Sequence, residues 1–231
     1  MISIIVPTYN EAGHIKATIE YILKLNDSRI LEIIIVDGSS DDNTLNIAQE
    51  AGAITLKAPV KGRAAQMNYA AGFAKGDILY FLHADSLPPP NFTELIYTYF
   101  NKGYQSGCFR LKFDKPHWFI NTVALLTRLN TRFIRFGDQS LYVTKSVFKK
   151  INGYNEGHIV MEDHEIINRI KKVCKFKLMP YFIVTSSRKF MENGPTRLML
   201  IFLYIYTLYY IGKPQGVLVN TYRKMVSNGK L

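Results

Sequence analysis

Three short apolar runs constrain this chain more than any other feature: Ile2–Val6, Leu31–Val36 and Ile78–Leu82. They are rich in β-branched residues and nearly free of polar alternation, the pattern of strands buried on both faces. Between them lie helical spacings. Residues 11–25 carry Ile15, Ile19, Ile22 and Leu23 on one stripe, Thr44–Ala51 reads as a second helix, and Ala64–Ala74 is alanine-rich. Ala53–Leu56 adds a short strand. Strands alternating with helices of this length predict right-handed βαβ units in an α/β fold with a mostly parallel sheet flanked by helices. Ligands of such sheets gather at the carboxyl ends of the strands. The polar clusters of this half all stand there: Thr8-Tyr9-Asn10-Glu11, Asp37-Gly38-Ser39-Ser40-Asp41 and His83-Ala84-Asp85.

The proline run Pro88-Pro89-Pro90 ends this grammar. A helix near 91–101 and a strand over 104–113 lead into the apolar segment Trp118–Phe136, which carries Arg128, Arg132 and Arg135. A strand at Leu141–Val143, a turn at Gly153-Tyr154-Asn155, a helix opening at Met161-Glu162-Asp163-His164-Glu165 and a strand over Phe176–Val184 follow. With no repeat and no long linker, one domain over 1–190 with a helical extension over 191–231 is expected.

The net charge of +11 raises nucleic-acid binding as a function. Its distribution argues otherwise. Residues 1–100 hold 7 basic and 11 acidic side chains, residues 101–170 hold 11 and 6, and residues 171–231 hold 11 and 1. The basicity therefore belongs to the tail, where it alternates with aliphatic runs, and no nucleic-acid-binding motif appears. The N-terminus lacks the basic region and cleavage site of a signal peptide. Leu198–Ile211 would span roughly 21 Å as a helix, short of the ~30 Å hydrocarbon core. It is expected to be buried or to lie in a membrane interface. Cys108 and Cys174 form no C-x-x-C pair and read as reduced core residues of a cytoplasmic protein.

The glycine loops of dinucleotide enzymes and P-loop NTPases are absent. In their place stand Ser3-Ile-Ile-Val-Pro-Thr-Tyr-Asn-Glu11, Val36-Asp37-Gly-Ser-Ser-Asp-Asp-Asn-Thr44, Phe81-Leu-His-Ala-Asp85 and Glu162-Asp163. This ordered set resembles the family 2 glycosyltransferases, which have the GT-A fold, over most of residues 1–170. Gly62-Arg63-Ala-Ala-Gln66-Met-Asn68, Gly137-Asp138-Gln139 and Ser187-Arg188 with Asn193-Gly194 are similar to a bacterial subgroup, the selenodomain-associated transferase 2 type. The resemblance implies a nucleotide-binding half over 1–100 and an acceptor half over 101–190.

It also implies roles. Pro7, Thr8, Tyr9, Glu11, Asp37 and Ser39 would surround the nucleoside of a nucleotide-sugar donor. Asp41 or Asp42 is expected to cap the following helix, with Thr44 structural. Gly62 opens a helix whose N-terminal amides favour anions, so Gly62, Arg63 and Gln66 are expected toward the diphosphate, against the alternative of a solvated basic turn. Ala84 and Asp85 occupy the family's D-x-D metal motif, and His83 replaces its first acid. Asp85 is the expected ligand of Mg²⁺ or Mn²⁺, which can complete its shell with phosphate oxygens and water. For His83, a local strand-end hydrogen bond is favoured over ligation.

Asp163 resembles the general base, kept ionised by its helix N-terminus, with Glu162 shaping the site. His164 is expected to point outward. Asp138 and Gln139 are expected on the acceptor side. Arg188, Lys189 and Arg197 either clamp phosphates, face an anionic acceptor or are solvated. The implied reaction is inverting transfer from a nucleotide diphosphate sugar, UDP-sugar favoured, to a hydroxyl acceptor, lipid-linked or phosphorylated being the candidate classes. The competing reading is a noncatalytic sugar-nucleotide-binding or membrane-surface scaffold protein. The 198–211 helix suits either the inner face of the plasma membrane or a homodimer contact.

Overall fold

The computed structural model describes residues 1–115, 117–128 and 139–227. The three apolar runs become β1 (Ile2–Thr8), β2 (Ile30–Asp37) and β4 (Ile78–Phe81), with β3 (Ile54–Lys57) outside β2. They pair in parallel, β1 lying between β2 and β4. Alternate side chains of β1 enter different cores. Ile2, Ile4 and Val6 pack on one face of the sheet and Ile5 on the other, so a run without polar alternation is what this strand requires.

The first face is covered by α1 (Ile15–Lys24), α2 (Thr44–Glu50) and α4 (Phe92–Asn101). The second is covered by α3 (Arg63–Phe73), α6 (Lys145–Lys150) and α7 (Glu162–Val173). The helical stripe read from residues 11–25 is α1, which buries Ile15, Ile19 and Ile22.

Beyond β4 the sheet becomes mixed. β7 (Leu141–Thr144) runs antiparallel to β4, and β6 (Ser106–Phe113) antiparallel to β7. β8 (Phe176–Thr185) runs parallel to β6, and the two-residue β5 (Ser86–Leu87) closes the edge against β8. The order among the described residues is β3-β2-β1-β4-β7-β6-β8-β5. Sequence periodicity misses β5 and α6 because two and six residues carry too little of a period. β5 exists because Ser86 and Leu87 pair with Thr185 and Val184, and Ser86 Oγ lies 2.8 Å from Thr185 Oγ1. That short ladder draws the His83–Asp85 segment toward residues 186–188.

The helices α5 (Trp118–Leu126), α8 (Arg188–Asn193), α9 (Pro195–Tyr210) and α10 (Gln215–Met225) complete the described chain. α9 buries Leu198, Ile201, Ile205 and Leu208, and α10 buries Leu218 and Tyr222, in the same core as α1 and α4. Gly137, Asp138, Arg132 and Arg135 lie outside the described residues.

Candidate active site

The ends of β1 and β2 are held together by side chains that both sequence clusters supply. Their register sets Thr8 beside Asp37, and Gly38 N–H donates to the Thr8 carbonyl at 2.9 Å. Gln66, one turn into α3, donates both amide hydrogens at 2.8 Å, to the carbonyls of Thr8 and Val36. A Cβ on Gly38 would stand 3.0 Å from the Gln66 side-chain amide, so glycine makes this close approach available. Asn10 and Ser39 take left-handed conformations, which turn the two loops toward each other. Ser40 Oγ then accepts from Asn10 N–H, and Asn10 Oδ1 from Asp41 N–H, both at 2.8 Å.

Asp37 is consumed by this junction. It is buried, and its carboxylate accepts from Thr8 Oγ1 at 3.2 Å, from Ser40 N–H at 2.8 Å and from Ser40 Oγ. Neither Asp37 nor Ser39 stands on the wall of the cavity described below, which reaches Gly38 between them; the bonds of Asp37 shape the loop, and contact of either residue with a donor is a proposal. Asp42, rather than Asp41, receives the Thr44 N–H at 3.1 Å, while Asn43 occupies the N-cap position. Thr44 is structural as expected, its Oγ1 accepting from Glu11 N–H at 2.9 Å.

The strand ends open into a cavity of about 900 Å³. One wall carries Pro7, Thr8, Tyr9 and Glu11, with Lys61 Nζ 5.4 Å above the Tyr9 ring on a face where a base could stack. The next wall carries His83, Ala84 and Asp85 from the end of β4. α3 enters with Gly62, at φ +123°, as its N-cap and Arg63 as its first residue. First-turn amides have no intrahelical acceptor, so this end suits an anion. Gln66 also reaches the cavity, although its amide hydrogens are spent on the strand carbonyls.

Opposite stands the N-terminus of α7. Arg63 bridges the two sides: its Nε lies 3.2 Å from Glu162 Oε1, and its Nη1 lies 3.7 Å from Asp163 Oδ2 and 3.4 Å from His83 Nε2. The His83 contact agrees with a local role for that ring. Glu162 is 4% exposed, and burial pushes its carboxyl up to about 7 despite the opposing pull of Arg63. Behind it lies the buried Tyr154, whose hydroxyl is held well above its ordinary value by burial and by Asp163 and Glu162.

The far wall was not foreseen as a unit. Ile159, Val160 and Met161 meet Lys189, Phe190, Phe202, Ile205, Tyr206 and Tyr222 there. Arg188 lies on this rim, 3.7 Å from Glu11 Oε2. Arg197 is exposed and donates to the Met225 carbonyl at 3.1 Å, away from the cavity.

Two further residues, Gln139 and His164, stand elsewhere than expected. Gln139 is buried and donates to the Phe109 carbonyl at 2.9 Å, where the β6–β8 register shifts between Cys108 and Arg110. An interrupted ladder leaves a carbonyl to satisfy, so Gln139 repairs the sheet and does not line the cavity. Asp138 lies outside the described residues. His164, expected to point outward, is buried at 2% exposure.

A divalent ion fits this site only together with a ligand that brings its own oxygens. Among the described residues no three His, Cys, Asp or Glu side chains gather as a metal cluster. Asp85 offers one hard carboxylate on the cavity wall, which matches an ion completed by phosphate and water.

Residues 3–153 match the sequence profile of Glycosyl transferase family 2. The chain is 34% identical over 103 residues to Glycosyltransferase GlyG of Streptococcus pneumoniae, covering 42% of this chain and 34% of that protein. It is 31% identical over 115 residues to the undecaprenyl-phosphate 4-deoxy-4-formamido-L-arabinose transferase of Shewanella sediminis, covering 46% of this chain and 34% of that one. The matches thus span about a third of these relatives. Among solved structures, the mannosyltransferase PcManGT of Pyrobaculum calidifontis, in complex with GDP-Man and Mn²⁺, aligns with a TM-score of 0.71 and 17% identity, over 100% of this chain and 76% of that one. That likeness concerns the fold.

Proposed function

This chain belongs to glycosyl transferase family 2, and from that premise we propose that it transfers a sugar from a nucleoside-diphosphate donor to a hydroxyl acceptor with inversion. One observation carries the reading: a single cavity sets an anion-binding helix end, Arg63 and Asp85 opposite the carboxylate of Asp163. The nucleoside would lie along Pro7–Tyr9 and Glu11, and the diphosphate at Gly62–Arg63. Asp163 would take the acceptor's hydroxyl proton as that oxygen attacks the anomeric carbon. The bond from the anomeric carbon to the diphosphate breaks in the same displacement, and Arg63 and the α3 amides stabilise the leaving charge. Held by Asp85 and the donor phosphates, a Mg²⁺ or Mn²⁺ ion would supply further charge neutralisation.

A UDP-sugar is the favoured donor, on the resemblance of the strand-end motifs. The far wall favours an amphiphilic acceptor. Phe190, Phe202, Ile205 and Tyr222 offer an apolar surface, with Lys189, Arg188 and Arg223 on the rim for an anionic group. A hydroxyl carried on a lipid-linked phosphate combines both, and the Shewanella relative is named as an undecaprenyl-phosphate transferase. Among the described residues no helix is long and apolar enough to cross a membrane. Meeting such an acceptor would then fall to the exposed face of α9, at the inner surface of the plasma membrane.

The test is donor turnover by Asp163→Asn beside the unaltered chain. Loss of transfer with retained nucleotide binding supports the reading; transfer near the original rate removes Asp163 as base. Thermal stabilisation by UDP, GDP, dTDP and CDP, each with and without Mn²⁺, identifies the donor base. Binding without turnover of any sugar nucleotide would favour the noncatalytic scaffold reading.

A further inference from the structure

The first turn of α7 carries Glu162 and Asp163 yet has weak means of fixing itself. Its N-cap is Met161, which has no capping oxygen and stands in a left-handed conformation at φ +70°. A bulky residue there persists only where its surroundings hold it.

The holding groups come from the C-terminal helices. Both ring nitrogens of His164 meet tyrosine hydroxyls of α9: Nδ1 lies 2.8 Å from Tyr206 Oη and Nε2 lies 2.7 Å from Tyr210 Oη. The two tyrosines are four residues apart and so share a helix face. The Tyr206, Tyr209 and Tyr210 rings pack edge-on to the imidazole, with centroids 5.3, 5.9 and 5.7 Å away. On the other side of the catalytic pair, α10 grips the entering loop. Gln215 Oε1 accepts from the N–H groups of Ile159 and Val160, and its Nε2 donates to the Val160 carbonyl, all at 3.2 Å. Glu162 and Asp163 therefore sit between two clamps that the C-terminal helices supply.

We propose that His164, Tyr206, Tyr210 and Gln215 are positioning residues, and that α9 and α10 fix the carboxylate of Asp163 for proton transfer. This rests on the reading of Asp163 as the base. In its neutral form the imidazole donates from one nitrogen and accepts at the other, so one tyrosine would accept and the other donate. The ring thereby fixes the orientation of both hydroxyls as well as the helix turn. A base displaced by about 1 Å can cost on the order of 100-fold in rate, which makes such a clamp functionally consequential.

The experiment replaces Tyr206→Phe and Tyr210→Phe, singly and together, in the full chain. The rings and their packing stay, and only the hydroxyls leave. Hydrogen exchange of the 159–165 amides is expected to quicken by about tenfold or more in the double variant, with β1 amides unchanged. Turnover of UDP-N-acetylglucosamine or GDP-mannose with Mn²⁺, water serving as acceptor, is expected to fall about 10- to 100-fold. UDP and GDP affinity should change much less than turnover, because neither tyrosine is among the residues proposed to hold the nucleotide. Gln215→Ala should repeat the exchange result from the other side. Unchanged exchange at 159–165 overturns the clamp whatever Asp163 does, and faster exchange with unchanged turnover overturns its catalytic role. If the double variant does not fold, each single variant applies the same comparison. Asp163→Asn, measured alongside, reports on the base itself: retained turnover there, with tyrosine-sensitive exchange, sinks the base assignment while the tether stands.

Discussion

Arg63 Nη1 lies 3.7 Å from Asp163 Oδ2, and Arg63 Nε 3.2 Å from Glu162 Oε1. The residue proposed to receive a diphosphate is thus tied to the acidic pair at the N-terminus of α7. A donor phosphate at the α3 N-terminus competes with those carboxylates for the guanidinium. Arg63→Ala is expected to weaken UDP and GDP binding about 10- to 100-fold, the worth of one or two charge-assisted hydrogen bonds. Arg63→Lys keeps the charge but loses the fork that spans Glu162 and Asp163, so its affinity should fall between the two. Calorimetric titration of the three proteins decides this; equal affinities would place the diphosphate elsewhere.

Glu162 gives stability a pH dependence of definite sign. Its carboxyl titrates at about 7 in the folded protein against 4.5 as the reference value, because burial disfavours the charged form. Between those limits the folded state binds more protons than the unfolded state, so stability falls as pH rises from about 4.5 to 7 and then levels. The unfolding midpoint is expected to be a few degrees lower at pH 7.5 than at pH 5.5, since about 1 kcal/mol moves a domain of this size by ~2–4 °C. Glu162→Gln should flatten this step. A step of the same size in that variant would assign it to other groups.

Gln66 separates architecture from binding. The resemblance placed it toward the diphosphate, whereas its amide holds the Thr8 and Val36 carbonyls. Gln66→Ala removes partners from two buried acceptors at roughly 1–3 kcal/mol, with a midpoint lower by about 5 °C. Differential scanning calorimetry measures this. A variant of unchanged stability but lost nucleotide binding would restore the original expectation.

Asp85 carries the metal expectation alone, since His83 turns to Arg63. In Asp85→Ala, the gain in UDP or GDP affinity on adding Mn²⁺ should vanish, while His83→Ala should keep most of it. A Mn²⁺ effect that survives Asp85→Ala would move the ion to other ligands.

The strand-end site was legible because its parts obey local rules. Apolar runs mark buried strands, and polar residues directly after them must lie at the carboxyl edge, as Tyr9, His83 and Asp85 do. Two of the departures have a common cause: side-chain partners distant in sequence. Asp37 and Ser40 share a loop, but Gln139 answers a carbonyl thirty residues away, and His164 is buried by tyrosines more than forty residues downstream. No period or motif encodes such pairs. The apolar run over 198–211 is expected to be either buried or interfacial; α9 buries one face in the core and exposes the other, and the membrane contact of that exposed face is a proposal.

That two-sidedness is itself testable. Leu198, Ile201, Ile205 and Leu208 of α9 are in the core, so point substitutions on its exposed face, not removal of the helix, are the suitable probe. Its other face exposes Leu200 at 62%, Leu203 at 61% and Tyr204 at 51%, with Ile211 exposed just beyond its end. Arg197, Lys213, Arg223 and Lys224 are exposed nearby in sequence on the same basic tail. An apolar stripe with basic surroundings fits an anionic lipid surface, and both terms weaken together if the stripe is made polar. The unaltered chain should float with phosphatidylglycerol vesicles at low salt, and Leu200→Ser/Leu203→Ser/Ile211→Ser should remain in the soluble fraction with its fold intact. Flotation that ignores these substitutions would exclude this face from membrane contact. A concentration-dependent dimer that the same substitutions dissolve would assign the face to a second copy of the chain.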